Sequence, residues 1–310
     1  MNVNIKEKLF KNKSILALVV LCVLLSIMTP RFLTLANITN ILNQVSVNAI
    51  IAVGMTFVIL TGGIDLSVGS ILAICGAVSA VTIKSTGNIF LAIIIPIIVG
   101  VLIGFINGFI IAKGRIQAFV ATLAIMTIFR GVTYVYTSGN PISSLPDSYN
   151  SIGNKMIGVI PLPVIITIIV VIIAYYVLSK TRFGRYIYAL GGNEDSARLS
   201  GINTNKIKTI AYVVCGAAAA VGGIIATSRI GSASPTAGIG FELDAIASVV
   251  IGGTSLLGGE GTVIGTIIGA LIIGVLNNGL NLIDVSPFYQ QIVKGAVILL
   301  AVLADRKRAK

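Results

Sequence analysis

The chain has 310 residues, 56% of them hydrophobic and only 10% charged, with a formal net charge of +12. Long apolar runs at this composition exclude a soluble domain and point to helical membrane spans. The basic excess, which would suggest nucleic acid in a soluble protein, takes its meaning here from where the basic residues fall. There is no histidine, so histidine-dependent catalysis and histidine metal sites are excluded, and Cys22, Cys75 and Cys215 lie inside apolar runs as small packing residues.

The first apolar run, Ser14 to Pro30, follows Lys6, Lys8, Lys11 and Lys13 in the outline of a signal peptide. It lacks a small-x-small cleavage site and reads as an uncleaved first span. Further runs lie near Gln44 to Thr61, Leu66 to Ile83, Ile89 to Ala112, Ala118 to Thr137, Ile160 to Ser179, Thr209 to Thr227, Leu243 to Leu257, Thr262 to Ile283 and Tyr289 to Ala304. The expectation is an all-α polytopic membrane protein forming one transmembrane domain over 1–310, with about ten spans. The weakest of these, Leu243 to Leu257, is broken by Gly252-Gly253 and can instead be a half-helix or re-entrant segment.

Ten crossings place the N-terminal lysines (1–13), Lys113 and Arg115, the basic loop at 180–208 and the basic tail at 305–310 on one side. Only Arg31, Lys84, Lys155 and Arg229 fall in opposite loops, with Arg130 and Lys294 inside spans. The positive-inside rule makes the basic side cytoplasmic, with both termini there. Residues 100–107 (Gly-Val-Leu-Ile-Gly-Phe-Ile-Asn) resemble 270–277 (Ala-Leu-Ile-Ile-Gly-Val-Leu-Asn) in the fourth and ninth spans. A repeat unit of five spans inverts its orientation, so two inverted five-helix halves are expected.

Three polar stretches interrupt the apolar chain. Thr61 to Ser70 sets Asp65 and Ser67 among glycines, where they either cap the third span or line a translocation path together with Asn107, Arg130 and Asn277. Arg130 is expected to snorkel or to face a polar cavity. Between Lys180 and Lys208, Asn193 is placed to cap a short helix, Glu194 and Asp195 complement its dipole, Glu194 and Arg198 have pairing spacing, and Gly201 ends it. Ala197, Leu199 and Ile202 leave an apolar edge on that helix, suited to docking.

The third stretch, Arg229 to Asp244, holds Glu242 and Asp244 without any nucleophile or base, so helix capping or docking of an external partner is expected in place of catalysis. Gly100, Gly104 and Gly108, like Gly261, Gly265 and Gly269, form small-x-x-x-small stripes for close helix packing. The Gly-rich run at 252–265 follows no strand and does not read as a dinucleotide site. No phosphate-binding loop occurs, so ATP-driven work requires another chain.

Several motifs in order carry a family resemblance: Gly62-Gly63-Ile64-Asp65-Leu66-Ser67-Val68-Gly69, Asn107-Gly108, Ala121-Thr122-Leu123, Arg130-Gly131, Gly191-Gly192-Asn193-Glu194 through Gly201-Ile202-Asn203, Pro235 to Gly238, Glu242 to Ala247, and Gly252 to Gly261. Over roughly residues 14 to 304 they resemble the permease subunit of ribose-type sugar ABC importers. Ser196 departs from the alanine more usual there. The resemblance implies a homodimer, a cytoplasmic tandem ATPase, an extracytoplasmic sugar-binding protein, a monosaccharide cargo, no cofactor, and a coupling helix formed by Asn193, Glu194, Asp195, Arg198, Leu199, Gly201 and Ile202 that docks on the ATPase. Arg229, Glu242 and Asp244 are the candidates for docking the binding protein. Ribose, inositol and autoinducer-type cargo stay open. So do a branched-chain amino-acid permease and an ion-coupled secondary transporter, although the acidic residues lie outside the spans, where a coupling ion would not be held.

Overall fold

A computed structural model describes residues 13–306; the lysines at 6, 8 and 11 and the last four residues lie outside that range. Among the described residues there are thirteen helices and one two-stranded hairpin. The helices are α1 (Lys13–Met28), α2 (Leu35–Leu60), α3 (Val68–Thr86), α4 (Ile89–Gly114), α5 (Ala118–Tyr136), α6 (Asp147–Asn154), α7 (Leu162–Lys180), α8 (Arg182–Gly192), α9 (Glu194–Leu199), α10 (Thr204–Ile230), α11 (Phe241–Ile251), α12 (Val263–Leu282) and α13 (Pro287–Arg306). The hairpin pairs Met156–Ile157 with Ile160–Pro161.

Local chemistry sets the helix ends. Thr34, Asn88, Asn203 and Thr262 each accept a bond from a first-turn N–H, starting α2, α4, α10 and α12. These caps satisfy donors that lipid cannot. Gly87 and Gly231, at positive φ, end α3 and α10.

Seven helices (α2, α3, α4, α5, α7, α10 and α12) are long and apolar enough to cross a membrane. The chain is therefore a polytopic helical membrane protein. α1 is a shorter apolar helix, and α13 falls outside the seven. α11 has only 11 residues, because the chain turns at Gly252 and Gly253 after about 16 Å of helix rise. That shortness matches the half-helix reading of the Leu243 to Leu257 run.

α2 lies at the centre, with its apolar window 83% buried, while the corresponding windows of α5 and α7 are 22% buried and present their apolar side chains outward. Outward apolar faces of this kind suit lipid. In lipid, water does not drive helices together, so close backbone approach must. Gly100, Gly104 and Gly108 supply it on α4: a methyl group at Gly100 would lie 2.5 Å from the Gly216 carbonyl oxygen, and one at Gly108 would lie 2.6 Å from the Thr209 Cα. Gly265 and Gly269 press α12 onto Gly252 and Ser248 of the α11 segment. Gly261 departs from the expected stripe; it lies in the loop before α12 at φ +151, packed on Thr254.

Candidate functional site

The chain ends that gather at one face of the bundle are the close of α2, the α4–α5 link, the α8–α9–α10 stretch and the α11–α12 loop. Their junction is made of backbone. The Gly259 N–H donates to the Leu60 carbonyl at 3.0 Å. Gly191 lies against that same carbonyl and against Gly259, and a methyl group on Gly258 would sit 2.8 Å from the Gly62 nitrogen and 3.1 Å from the Gly191 Cα. The Tyr188 hydroxyl donates to the Gly261 carbonyl at 2.9 Å. Three loops are thus clasped together, and only glycines permit the approach.

α9 leaves this clasp directly. Asn193 caps it, its Oδ1 accepting from the Ser196 N–H at 2.8 Å. At the other end Gly201, at φ +83, lets its own N–H reach Arg198 O and the Ile202 N–H reach Ala197 O. The ion pairs differ from the spacing-based expectation: Arg198 pairs with Asp195 at 2.6 Å, and Glu194 turns back to Lys208 on α10, also at 2.6 Å. The apolar edge also divides. Ala197 and Ile202 face inward, whereas Leu199 is 88% exposed.

Behind the clasp lies a fully buried polar cluster. Asp65 Oδ1 accepts from the Ser67 N–H at 2.9 Å and the Ser67 hydroxyl at 2.6 Å. Asn107 Nδ2 donates to Ser67 Oγ at 2.8 Å and lies 3.4 Å from Asp65 Oδ1. Asp65 thus anchors the turn preceding α3, while Ser67, the N-cap, makes no side-chain cap bond. Burial raises the Asp65 carboxyl above its ordinary range, and bonds from Ser67, Cys215 and Asn107 oppose that rise. Asp65 Oδ2 and Asn107 Oδ1 have no hydrogen-bond partner among the described residues.

The other two path candidates sit elsewhere. Arg130 is spent on backbone: its guanidinium donates to the carbonyls of Pro235 and Ala237 at 2.7 and 2.8 Å, because the 231–240 loop folds over the C-terminal part of α5 and offers free acceptors. Asn277 has a buried Oδ1 without a partner among the described residues, whereas its neighbour Asn278 is bonded reciprocally with Asn37. Arg229, Glu242 and Asp244 are likewise turned inward. Arg229 donates to the Asn43 carbonyl, Glu242 accepts from the Gly240 N–H, and Asp244, 8% exposed, pairs with Lys294 at 3.0 Å. Lys208, Lys294 and Leu60 were not singled out by the sequence, since their roles depend on contacts between distant segments.

No group of three or more metal-ligating side chains occurs among the described residues. The fold and this junction define a class: a polytopic helical membrane permease that carries no phosphate-binding loop of its own. A family model described as branched-chain amino acid transport system / permease component matches residues 37–302, and the chain belongs to that family. It is 56% identical over 308 residues to the ribose import permease protein RbsC of Escherichia coli K12, covering 98% of this chain and 96% of that one. It is 55% identical over 299 residues to RbsC of Bacillus subtilis, covering 95% and 92%. It is 43% identical over 281 residues to the D-allose transport system permease protein AlsC of Escherichia coli K12, covering 90% and 86%. No solved structure matches the chain. As a family member it is a transport subunit and not an enzyme, a multi-pass protein of the bacterial inner membrane, and ATP hydrolysis belongs to a separate chain.

Proposed function

We propose that the chain is the membrane subunit of an ATP-binding cassette importer that admits ribose or a closely related monosaccharide by alternating access. The reading of the cargo rests on the sugar importers among its relatives, two of them ribose permeases with more than half their residues identical. The coupling reading rests on one observation: α9 projects Leu199 into solvent while its root, at Gly191 and Gly192, is locked to the end of α2 and to the α11–α12 loop. A push on α9 reaches both loops without passing through flexible side chains. The face carrying α9 is cytoplasmic in this reading, and both termini lie there, following the basic residues.

Ten crossings in two inverted halves remain the proposed topology. Its support is that helix contacts come in exchanged pairs. α4 packs on α10 as α12 packs on α2, α3 on α4 as α11 on α12, and α3 on α10 as α11 on α2. The first turn of α3 also meets the turn before α11, with Gly238 packed on Gly69. The cluster at Asp65, Ser67 and Asn107 marks the polar part of the proposed path within this chain. The working assembly is two copies of the chain with a tandem ATPase and an extracytoplasmic sugar-binding protein. Arg229, Glu242 and Asp244 then hold the outer loop that the binding protein meets and do not present free charges to it.

The test is ATP-dependent uptake of labelled ribose into vesicles holding this chain with its ATPase and binding protein, each omitted in turn. Uptake lost on every omission supports the importer. Uptake by this chain alone, driven by an ion gradient, overturns it.

A further inference from the structure

Beside α9 the same face opens into a cleft of about 580 Å³, lined by Gly62 and Gly63, by Arg115 and Gln117 of the α4–α5 link, by Glu194, Asp195 and Arg198 of α9, and by Lys208 and Tyr212 of α10. Three basic side chains and two acidic ones face it. The acids are already engaged, Asp195 with Arg198 and Glu194 with Lys208. Arg115 is the remaining charge. It is exposed and makes no ion pair or hydrogen bond among the described residues. Its backbone is left-handed, at φ 52 and ψ 30, which ends α4 and turns the chain past the cleft. Lys113, two residues earlier, behaves differently, with its ammonium 5.0 Å from the Phe109 ring centroid on an outward-facing helix flank.

We infer that this cleft is a second seat for the ATPase, beside the coupling helix, and that Arg115 receives an acidic side chain of that subunit. The inference rests on the coupling role proposed for α9. The exposed Leu199 follows Arg198, which lines the cleft, so a partner seated on Leu199 lies at the cleft's edge. A partner entering there meets one uncompensated positive charge framed by polar backbone, and a guanidinium favours a carboxylate by two-pronged bonding. An anionic lipid headgroup is the competing occupant, but it would approach from the outward flank where Lys113 sits.

The experiment titrates the purified ATPase against the full chain in nanodiscs of phosphatidylcholine alone, and of phosphatidylcholine with phosphatidylglycerol. The chains compared are wild type, Arg115→Glu and Arg115→Lys, each first shown to be monodisperse with an unchanged thermal midpoint. Arg115→Glu is expected to weaken ATPase binding about tenfold in both lipids and to flatten its salt dependence, with Arg115→Lys within about threefold of wild type. Wild-type affinity in Arg115→Glu overturns the inference, as does a loss confined to the phosphatidylglycerol discs, which assigns the cleft to a headgroup. A wild-type chain that binds no ATPase overturns the coupling reading as well.

Discussion

Gly191 lies so close to the Leu60 carbonyl that a methyl group at its Cα would overlap the oxygen, and the same carbonyl accepts the Gly259 N–H at 3.0 Å. One acceptor at the end of the central helix therefore holds both the root of α9 and the α11–α12 loop. Gly191→Ala must separate these backbones, since no flexible side chain is there to yield. The expected outcome is a fold weakened by about 1–3 kcal/mol of overpacking, with an ATPase that still turns over while ribose uptake falls by at least about tenfold. The check is paired measurement of hydrolysis and uptake in the same vesicles.

α9 itself is exposed, so its changes should read out in coupling and not in stability. Glu194→Ala with Gly201→Val removes the tie to Lys208 and places a β-branched residue at φ +83. The Glu194–Lys208 pair is partly exposed and contributes less than about 1 kcal/mol. Uptake should be uncoupled from hydrolysis with the thermal midpoint of the bundle little changed. Normal uptake in this double variant removes α9 from the coupling role.

Arg130 donates two bonds to backbone carbonyls of the loop that leads to α11. Arg130→Ala leaves both acceptors without a donor, which costs about 2–4 kcal/mol for charge-assisted bonds of this kind. Arg130→Lys reaches one carbonyl and should recover part of the loss. Thermal unfolding in detergent ranks the three chains.

Asn107 donates to both Ser67 and Asp65 in a site with no water contact. Asn107→Leu removes the donor to Ser67 Oγ and to Asp65 while the Ser67–Asp65 bonds stay, destabilising the fold by about 1 kcal/mol. In Asp65→Asn the partners of Oδ1 keep an acceptor, so its thermal midpoint should fall less than that of Asp65→Leu. Equal losses in the two Asp65 variants would show that packing alone matters there.

Tyr149, on the short helix α6 outside the spans, bonds the Ser79 hydroxyl at 2.7 Å, and burial pushes its phenol up to about 12. A raised acid in the folded state keeps its proton while the unfolded chain releases it. Stability is therefore full below about pH 10, the ordinary tyrosine value, and is lost as pH climbs toward 12. The loss is on the order of 2 kcal/mol. Thermal midpoints at pH 9 and 11.5 should diverge more in wild type than in Tyr149→Phe.

Apolar runs, caps and glycines are local features, and most of what they specify was readable directly. The seven long spans, the Asn193 cap, the Gly201 stop and the close packing of Gly100, Gly104 and Gly108 all follow from residues a few positions apart. Apolar length also overstated one element: Leu243 to Leu257 has the composition of a span, but Gly252-Gly253 turns the chain after 11 residues of helix.

Pairings between distant segments were another matter. Sequence spacing favours Glu194 with Arg198, yet Lys208 takes Glu194 because α10 returns beside α9, and no local rule encodes that return. Polarity in apolar surroundings grouped Asp65, Asn107, Arg130 and Asn277. The fold joins only the first two, since a lone polar residue in a span signals that a partner is needed without saying which. The sequence by itself determined the solvent this protein lives in, roughly where its long helices fall and several of their caps, because those depend on hydropathy and on bonds within a turn. The tertiary structure alone decided how Gly191 and Gly259 meet the Leu60 carbonyl, which charges pair across distant segments, and that Arg115 faces the cleft beside α9 without an ion pair among the described residues, because those depend on the approach of segments far apart in the chain.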